Sequence, residues 1–213
     1  MPFEIGNQSG KDRRVLAMIE EYPTPEKLYE KIMQYEGSYK TNSTFYVTRD
    51  RALASIFYIA QLRKSEAHRI TNSQFEQEPF RIVAVELSKS EKRNSKTGEI
   101  ITRKDAYRKE IIIPLKGKLG MFGKLIQEYL ALLPKKDQRL FPFSDKAGRD
   151  NQILKEMFAG AYPPHWERAF GENLLYELFD FDLIAVANYV QVDPRTLSKY
   201  IHRTPEKYLK KLR

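Results

Sequence analysis

Three short runs carry side chains that could act together on a phosphate. Leu62-Arg63-Lys64-Ser65-Glu66 follows an apolar helical stretch, Pro164-His165-Trp166-Glu167-Arg168 opens another, and Thr196-Leu197-Ser198-Lys199-Tyr200 precedes Ile201-His202. His165 and Arg168 stand three apart at a helix start, so they share a face. Arg63 supplies a second guanidinium, and two such forks can grip the non-bridging oxygens of one phosphate. A clamp of this kind stabilises the charge that builds on a phosphorane-like transition state. A tyrosine hydroxyl can attack phosphorus, but a free phenol ionises only near about pH 10. It therefore needs a cationic pocket or a base to become a nucleophile. The departing oxygen needs a proton, which a lysine or histidine can give. None of these steps calls for a metal or an external energy source.

Composition agrees with that inventory. Cysteine is absent, which excludes disulfide frameworks, thiolate zinc sites and cysteine nucleophiles. The only histidines are His68, His165 and His202, too few for a His-rich metal centre. No glycine-rich phosphate loop follows a strand, so nucleotide-binding folds have no support, and no cofactor is expected. Lys+Arg number 37 against Asp+Glu 28, a formal net charge of +9, which suits a polyanion and most often nucleic acid. A solvated basic surface without a partner is the plain alternative. No apolar run approaches the roughly 18 residues of a membrane span. The N-terminal run lacks the apolar core of a secretory signal. The expectation is a cytoplasmic protein with no membrane partner.

The elements that must position these residues fall into three stretches. Residues 1–21 are polar and mixed and read as a short N-terminal arm. Thr24 then offers an N-cap, with Pro25 at the first helical position and Glu26 in the first turn. After a polar loop, a second helix is expected from Asp50 to about Leu62, with Leu53, Ile56, Phe57 and Ile59 as its apolar stripe. The middle is β-rich: residues 80–87, 100–102 and 110–115 are strand candidates around a polar turn region, giving a small antiparallel sheet. Beyond Gly120 the chain turns helical again. An amphipathic helix over 124–133 precedes helices over 149–160, 166–179, 182–190 and 194–202, and residues 204–213 could add a last one. The fold class is α+β and mainly helical.

Together these runs resemble the catalytic domain of the tyrosine recombinases, the site-specific integrase family. Arg63, with Glu66 three residues later, is similar to the family's first arginine motif. His165 and Arg168 match its His-x-x-Arg motif, and Tyr200 lies 32 residues after Arg168 (200 − 168), a spacing that fits without a gap. The resemblance covers about residues 22 to 203 and implies a catalytic domain over 22–213. The family usually carries a helical core-binding domain ahead of it, and residues 1–21 give no sign of a separate one, which is the larger departure from the pattern. The resemblance implies cleavage and rejoining of double-stranded DNA through a covalent 3′-phosphotyrosine, without metal, in the setting of a mobile element or virus. DNA is then the partner, with self-assembly on it and a DNA-associated location. Tyr200 becomes the nucleophile, Arg63 and Arg168 the clamp, His165 a proton-transfer or charge-stabilising group, and Glu66 a support for the pocket. The family's general acid is a lysine on a hairpin between the motifs. Lys104 is the first choice, ahead of the 110–115 strand, with Lys96 and Lys109 as alternatives. Two positions depart from the pattern. Gln61 stands where the family usually has glycine. Gln191 stands at the second histidine-or-tryptophan position, where it can hydrogen-bond a phosphate oxygen but cannot shuttle a proton.

Each residue also has a plainer reading. Arg63 alone is a surface or capping arginine, His165 alone a structural histidine, and Tyr200 one of 13 tyrosines. A sharper rival is a helix-turn-helix over 183–201, with a Val192-Asp193-Pro194 turn and Arg195, Thr196, Ser198 and Lys199 facing a major groove. The protein would then be a transcriptional regulator. A regulator has no need of Arg63, His165 and Arg168, which favours the recombinase. A catalytically degenerate recombinase that only binds DNA is the third reading.

Overall fold

The computed structural model describes residues 10–86, 91–93, 97, 100–102, 108–143, 148–159, 166–198 and 201; for 10–14, 84–86, 91–93, 100–102, 108–109 and 166–168 it describes the backbone. The centre of the molecule is α3 (Ser43–Ala60). From Ala52 to Ala60 every side chain is buried, not one stripe alone. A helix that is covered all round must sit inside the core, and α3 does so by packing against α2 (Pro25–Met33), α5 (Gly120–Leu132), α6 (Arg149–Met157) and α7 (Trp166–Leu178). The expected helix over 50–62 thus begins seven residues early, at Ser43 (50 − 43), and ends at Ala60.

The N-terminal expectation is corrected. Residues 10–21 are no arm but helix α1 (Gly10–Glu21), packed on α7. Val15, Met18 and Ile19 recur at helical spacing and are buried, followed by Tyr22. The helix at Pro25 forms as its sequence dictates: the Thr24 hydroxyl accepts the Lys27 N–H at 3.3 Å, and Pro25 occupies the first position.

The sheet is antiparallel, in the order β1 (Phe75–Gln77), β2 (Phe80–Glu86), β5 (Arg108–Ile112). Phe80, Ile82 and Ile111 turn into the core. Arg81 lies on the other face, and donates to Glu76 at 2.7 Å and Glu110 at 3.0 Å. Ile82 pairs with both Phe75 and Ile111, and a register shift follows between Ile82 and Val85. A separate two-stranded ribbon joins β3 (Glu91–Arg93) to β4 (Ile100–Thr102), with Arg93 opposite Ile100. The polar sequence of β3 hides it, since all three residues are charged.

The C-terminal helices follow the sequence closely: α6, α7 and then α8 (Leu183–Val190). Helix α9 spans Pro194–Leu197, shorter than the expected 194–202. The expected helix over 204–213 lies outside the described residues. Among the described residues, no helix is long and apolar enough to cross a membrane.

Candidate functional site

Arg63 is placed by the way α3 ends. Gln61 caps that helix in the left-handed region, at φ 51° and ψ 37°. Glycine adopts this conformation without strain, whereas a residue with a Cβ loses roughly 1–2 kcal/mol. The glutamine is held by its own amide, which donates to the Tyr58 carbonyl at 2.5 Å. The turn buries Leu62 and presents Arg63 as the N-cap of α4 (Lys64–Ala67).

Glu66 grips Arg63 twice. One carboxylate oxygen accepts the Arg63 backbone N–H at 2.8 Å and the other its Nη1 at 2.8 Å. The Glu66 side chain is 1% exposed and that of Arg63 30%. The guanidinium is therefore held through Nη1 while the side chain stays partly exposed, which leaves donors for a phosphate.

Behind α4 lies a second ionic group. Lys64 Nζ sits 2.7 Å from Asp150 Oδ1, and His68 Nε2 lies 3.5 Å from Asp150 Oδ2. Asp150 and His68 are buried. Burial pushes the Asp150 carboxyl up, but His68, Lys64 and the Asn151 N–H together hold it below the ordinary carboxylate range. The His68 ring meets Phe143 edge-on at 6.0 Å. On its other side Phe143 carries the Arg49 guanidinium, 4.6 Å from its centroid. Arg49 donates through Nε and Nη2 to Asp50 at 2.9 and 2.8 Å, and Tyr35 and Tyr39 also donate to that carboxylate. Burial raises the Asp50 carboxyl, against the stabilising Tyr39 and Arg49. Arg149 reaches the same group through Tyr39, at 3.3 Å. Neither Asp150 nor Asp50 is among the residues expected from the sequence: Asp150 acts through Lys64 and His68, far along the chain, and Asp50 through its neighbour Arg49 together with Tyr35 and Tyr39.

Of the other expected site residues, Arg168 lies on the first turn of α7, on backbone that the structure describes without its side chain. Position 168 is one turn before Gly171 on the same helical face. A Cβ at Gly171 would fall 2.0 Å from Gln61 Nε2 and 3.0 Å from the Tyr58 carbonyl oxygen. Glycine here lets α7 press against the end of α3, two residues before Arg63. Gln191 is the C-cap of α8, exposed, at φ 51° and ψ 53°. Its backbone N–H bonds to Ala187 and Asn188. Lys104, Lys96, His165 and Tyr200 lie outside the described residues; Lys109 is on β5, described as backbone. Tyr189, a neighbouring tyrosine, packs on Phe179 at 5.4 Å, and burial pushes its phenol up, which disfavours the phenolate a nucleophile needs.

No protein-family model matches the sequence. A search of curated proteins finds no match. Among solved structures the chain is similar to the XerH site-specific recombinase bound to palindromic difH substrate in a post-cleavage complex, with a TM-score of 0.56 and 20% identity. The fold is that of a tyrosine recombinase catalytic domain. The likeness covers 88% of this chain and 50% of that one, so the chain spans about half the length of the recombinase it matches. Within a tyrosine recombinase fold, the Arg63–Glu66 pair and the foot of α7 are the parts of the expected site that the described residues bring towards one another.

Proposed function

We propose that the chain is a site-specific DNA recombinase that cuts and rejoins double-stranded DNA through a covalent 3′-phosphotyrosine. The observation that carries this reading is the Arg63–Glu66 arrangement after the end of α3: a buried carboxylate holds a partly exposed guanidinium, within a recombinase fold. The neighbour's DNA-bound, post-cleavage state makes DNA the natural substrate to test.

In the proposed reaction Arg63 and Arg168 hold the non-bridging oxygens of the scissile phosphate. The Tyr200 phenolic oxygen attacks phosphorus and loses its proton, with His165 assisting proton transfer or charge stabilisation. The bond to the 5′-oxygen breaks, and that oxygen takes a proton from Lys104, or from Lys96 or Lys109. Gln191 donates a hydrogen bond to a phosphate oxygen, and Glu66 keeps Arg63 in place. A 5′-hydroxyl then reverses the sequence on a new partner strand. Self-assembly on DNA follows, because rejoining between sites needs two duplexes together.

The test is covalent trapping on nicked suicide duplexes, resolved on a denaturing gel, with Tyr200→Phe beside wild type. A shifted protein–DNA band that vanishes in the variant is expected. DNA binding without any band would favour the degenerate recombinase or the regulator. The regulator reading draws on the α8–α9 turn, whose helices are capped by Asp182 and Asp193. It is weakened by the burial of Val190 and Leu197, which docks both helices on the core.

A further inference from the structure

Asp150 takes no part in the chemistry above, yet it sits where that chemistry needs support. Helix α4 carries Arg63 and Glu66 but has only four residues. One turn of helix does not hold itself together, because nucleation fixes several residues for a single hydrogen bond. The bonds within the turn tie it to itself: Arg63 O accepts from Glu66 N and Ala67 N at 2.9 Å each, and Lys64 O accepts from His68 N at 3.0 Å. Glu66 likewise binds back to Arg63. Leu62 and Ala67 bury the turn against the core, but none of these bonds reaches α6, and a single turn that frays would loosen the hold of Glu66 on the guanidinium.

The ionic group behind α4 makes that connection. Lys64 and His68 are four apart, at the start and the C-cap of the turn, and so lie on one face. Both converge on the same buried carboxylate, Lys64 at 2.7 Å and His68 at 3.5 Å. Asp150 is itself fixed in the first turn of α6, where the helix dipole favours an anion. Phe143 closes the group on the His68 side. We propose that Asp150 is a positioning residue for the Arg63 clamp, bolting both ends of α4 to α6 through Lys64 and His68. The clamp's function rests on the recombinase reading; the bolt itself does not.

Two measurements on the full chain test it. The first is single-turnover cleavage of a nicked suicide duplex at saturating DNA. Asp150→Asn keeps the volume and loses the charge; it should cleave about 10²-fold more slowly, the scale of an ångström-level misplacement, with DNA affinity unchanged. His68→Gln, which retains a donor, should keep most of the rate, and His68→Leu should not. The second needs no DNA: the NMR signal of the Arg63 Nη1 protons that Glu66 holds, identified by its loss in Arg63→Lys. In wild type it should be sharp and protected from solvent exchange; in Asp150→Asn it should broaden and exchange faster. Should Asp150→Asn fail to fold, Lys64→Met removes one bolt and leaves the carboxylate paired with His68. An unchanged Arg63 signal in a folded variant overturns the proposal. A changed signal in a protein whose wild type never traps DNA supports the bolt and rejects the recombinase reading.

Discussion

Arg63 and Arg168 do the same electrostatic work in the proposed reaction, but from different supports. Arg63 is held by a buried glutamate at 2.8 Å, whereas position 168 relies on the placing of α7. Removal of one charge-stabilising donor typically lowers a rate by about 10²–10³-fold. Arg168→Ala should therefore slow strand cleavage by at least about 10²–10³-fold while circular dichroism and the urea midpoint stay put; cleavage near the wild-type rate would sink the clamp assignment. The buried carboxylates offer a test by pH. The Asp150 carboxyl sits below its ordinary value because His68 and Lys64 outweigh the effect of burial. Its stabilising contribution is thus complete above the unfolded-state value, near 3.8, and is lost as pH falls through the lower folded value. For Asp50 the sign is opposite: its folded value is raised by burial, so proton uptake by the native state adds stability as pH falls towards the unfolded value. Urea titrations at stepped pH should show a shallower acid loss of stability in Asp150→Asn than in wild type, and a steeper one in Asp50→Asn. Equal slopes in all three proteins would refute both directions.

At the scale of elements, the approach of α7 to α3 is the contact on which the site depends. Gly171→Ala drives a methyl group against Gln61 Nε2 and the Tyr58 carbonyl, and overpacking of this kind costs about 1–3 kcal/mol. Gln61→Gly removes one of the two clashing groups. It also relieves the left-handed strain of about 1–2 kcal/mol, against the loss of a hydrogen bond worth about 0.5–1.5 kcal/mol. On its own it should be close to neutral. In the double variant the penalty of Gly171→Ala should shrink but not vanish, because the Tyr58 carbonyl stays 3.0 Å away. Additive penalties in urea unfolding would show that α7 does not meet α3 at Gln61. The same elements show what the sequence made legible. Thr24 and Pro25 announce α2 because capping is local chemistry. The start of α3 is hidden because Thr44, Phe45, Tyr46 and Val47 have β propensity. Tertiary contact wins there: the Arg49 guanidinium lies 4.9 Å from the Tyr46 ring and 4.6 Å from that of the distant Phe143, which holds the turn as helix. The apolar spacing of Val15, Met18 and Ile19 was readable but was masked by the polar residues around it. Arg63 and Glu66 stand together in one short motif that the resemblance picks out, whereas Asp150 comes from an element whose approach to α4 only the fold decides.

For the whole molecule the question is where the excess positive charge goes. The net charge is +9. Several cations are already used internally: Arg49 on Asp50, Arg63 on Glu66, Lys64 on Asp150, and Arg81 on Glu76 and Glu110. Those of Arg49, Arg63 and Lys64 hold the core and the site in shape, that of Arg81 lies on the exposed face of the sheet, and each adds little to the long-range field. A one-to-one pair removes one charge of each sign, so the excess of +9 stays with the rest of the chain and is available to a partner approaching from outside. Association with DNA should then be dominated by release of condensed counterions, with log affinity falling by about 0.9 per contacted phosphate for each unit of log salt. A binding face that meets 6–10 phosphates, a footprint usual for specific duplex binders, loses about 10³–10⁵ in affinity between 50 and 200 mM salt. Fluorescence anisotropy on one labelled duplex across that range is the check. A steep linear slope is expected, and Arg63→Ala should reduce it by close to one contact while leaving it steep, since one clamp residue is a small part of such a face. A flat response would remove DNA as the partner, and would mean that the charge on this surface is solvated and unused.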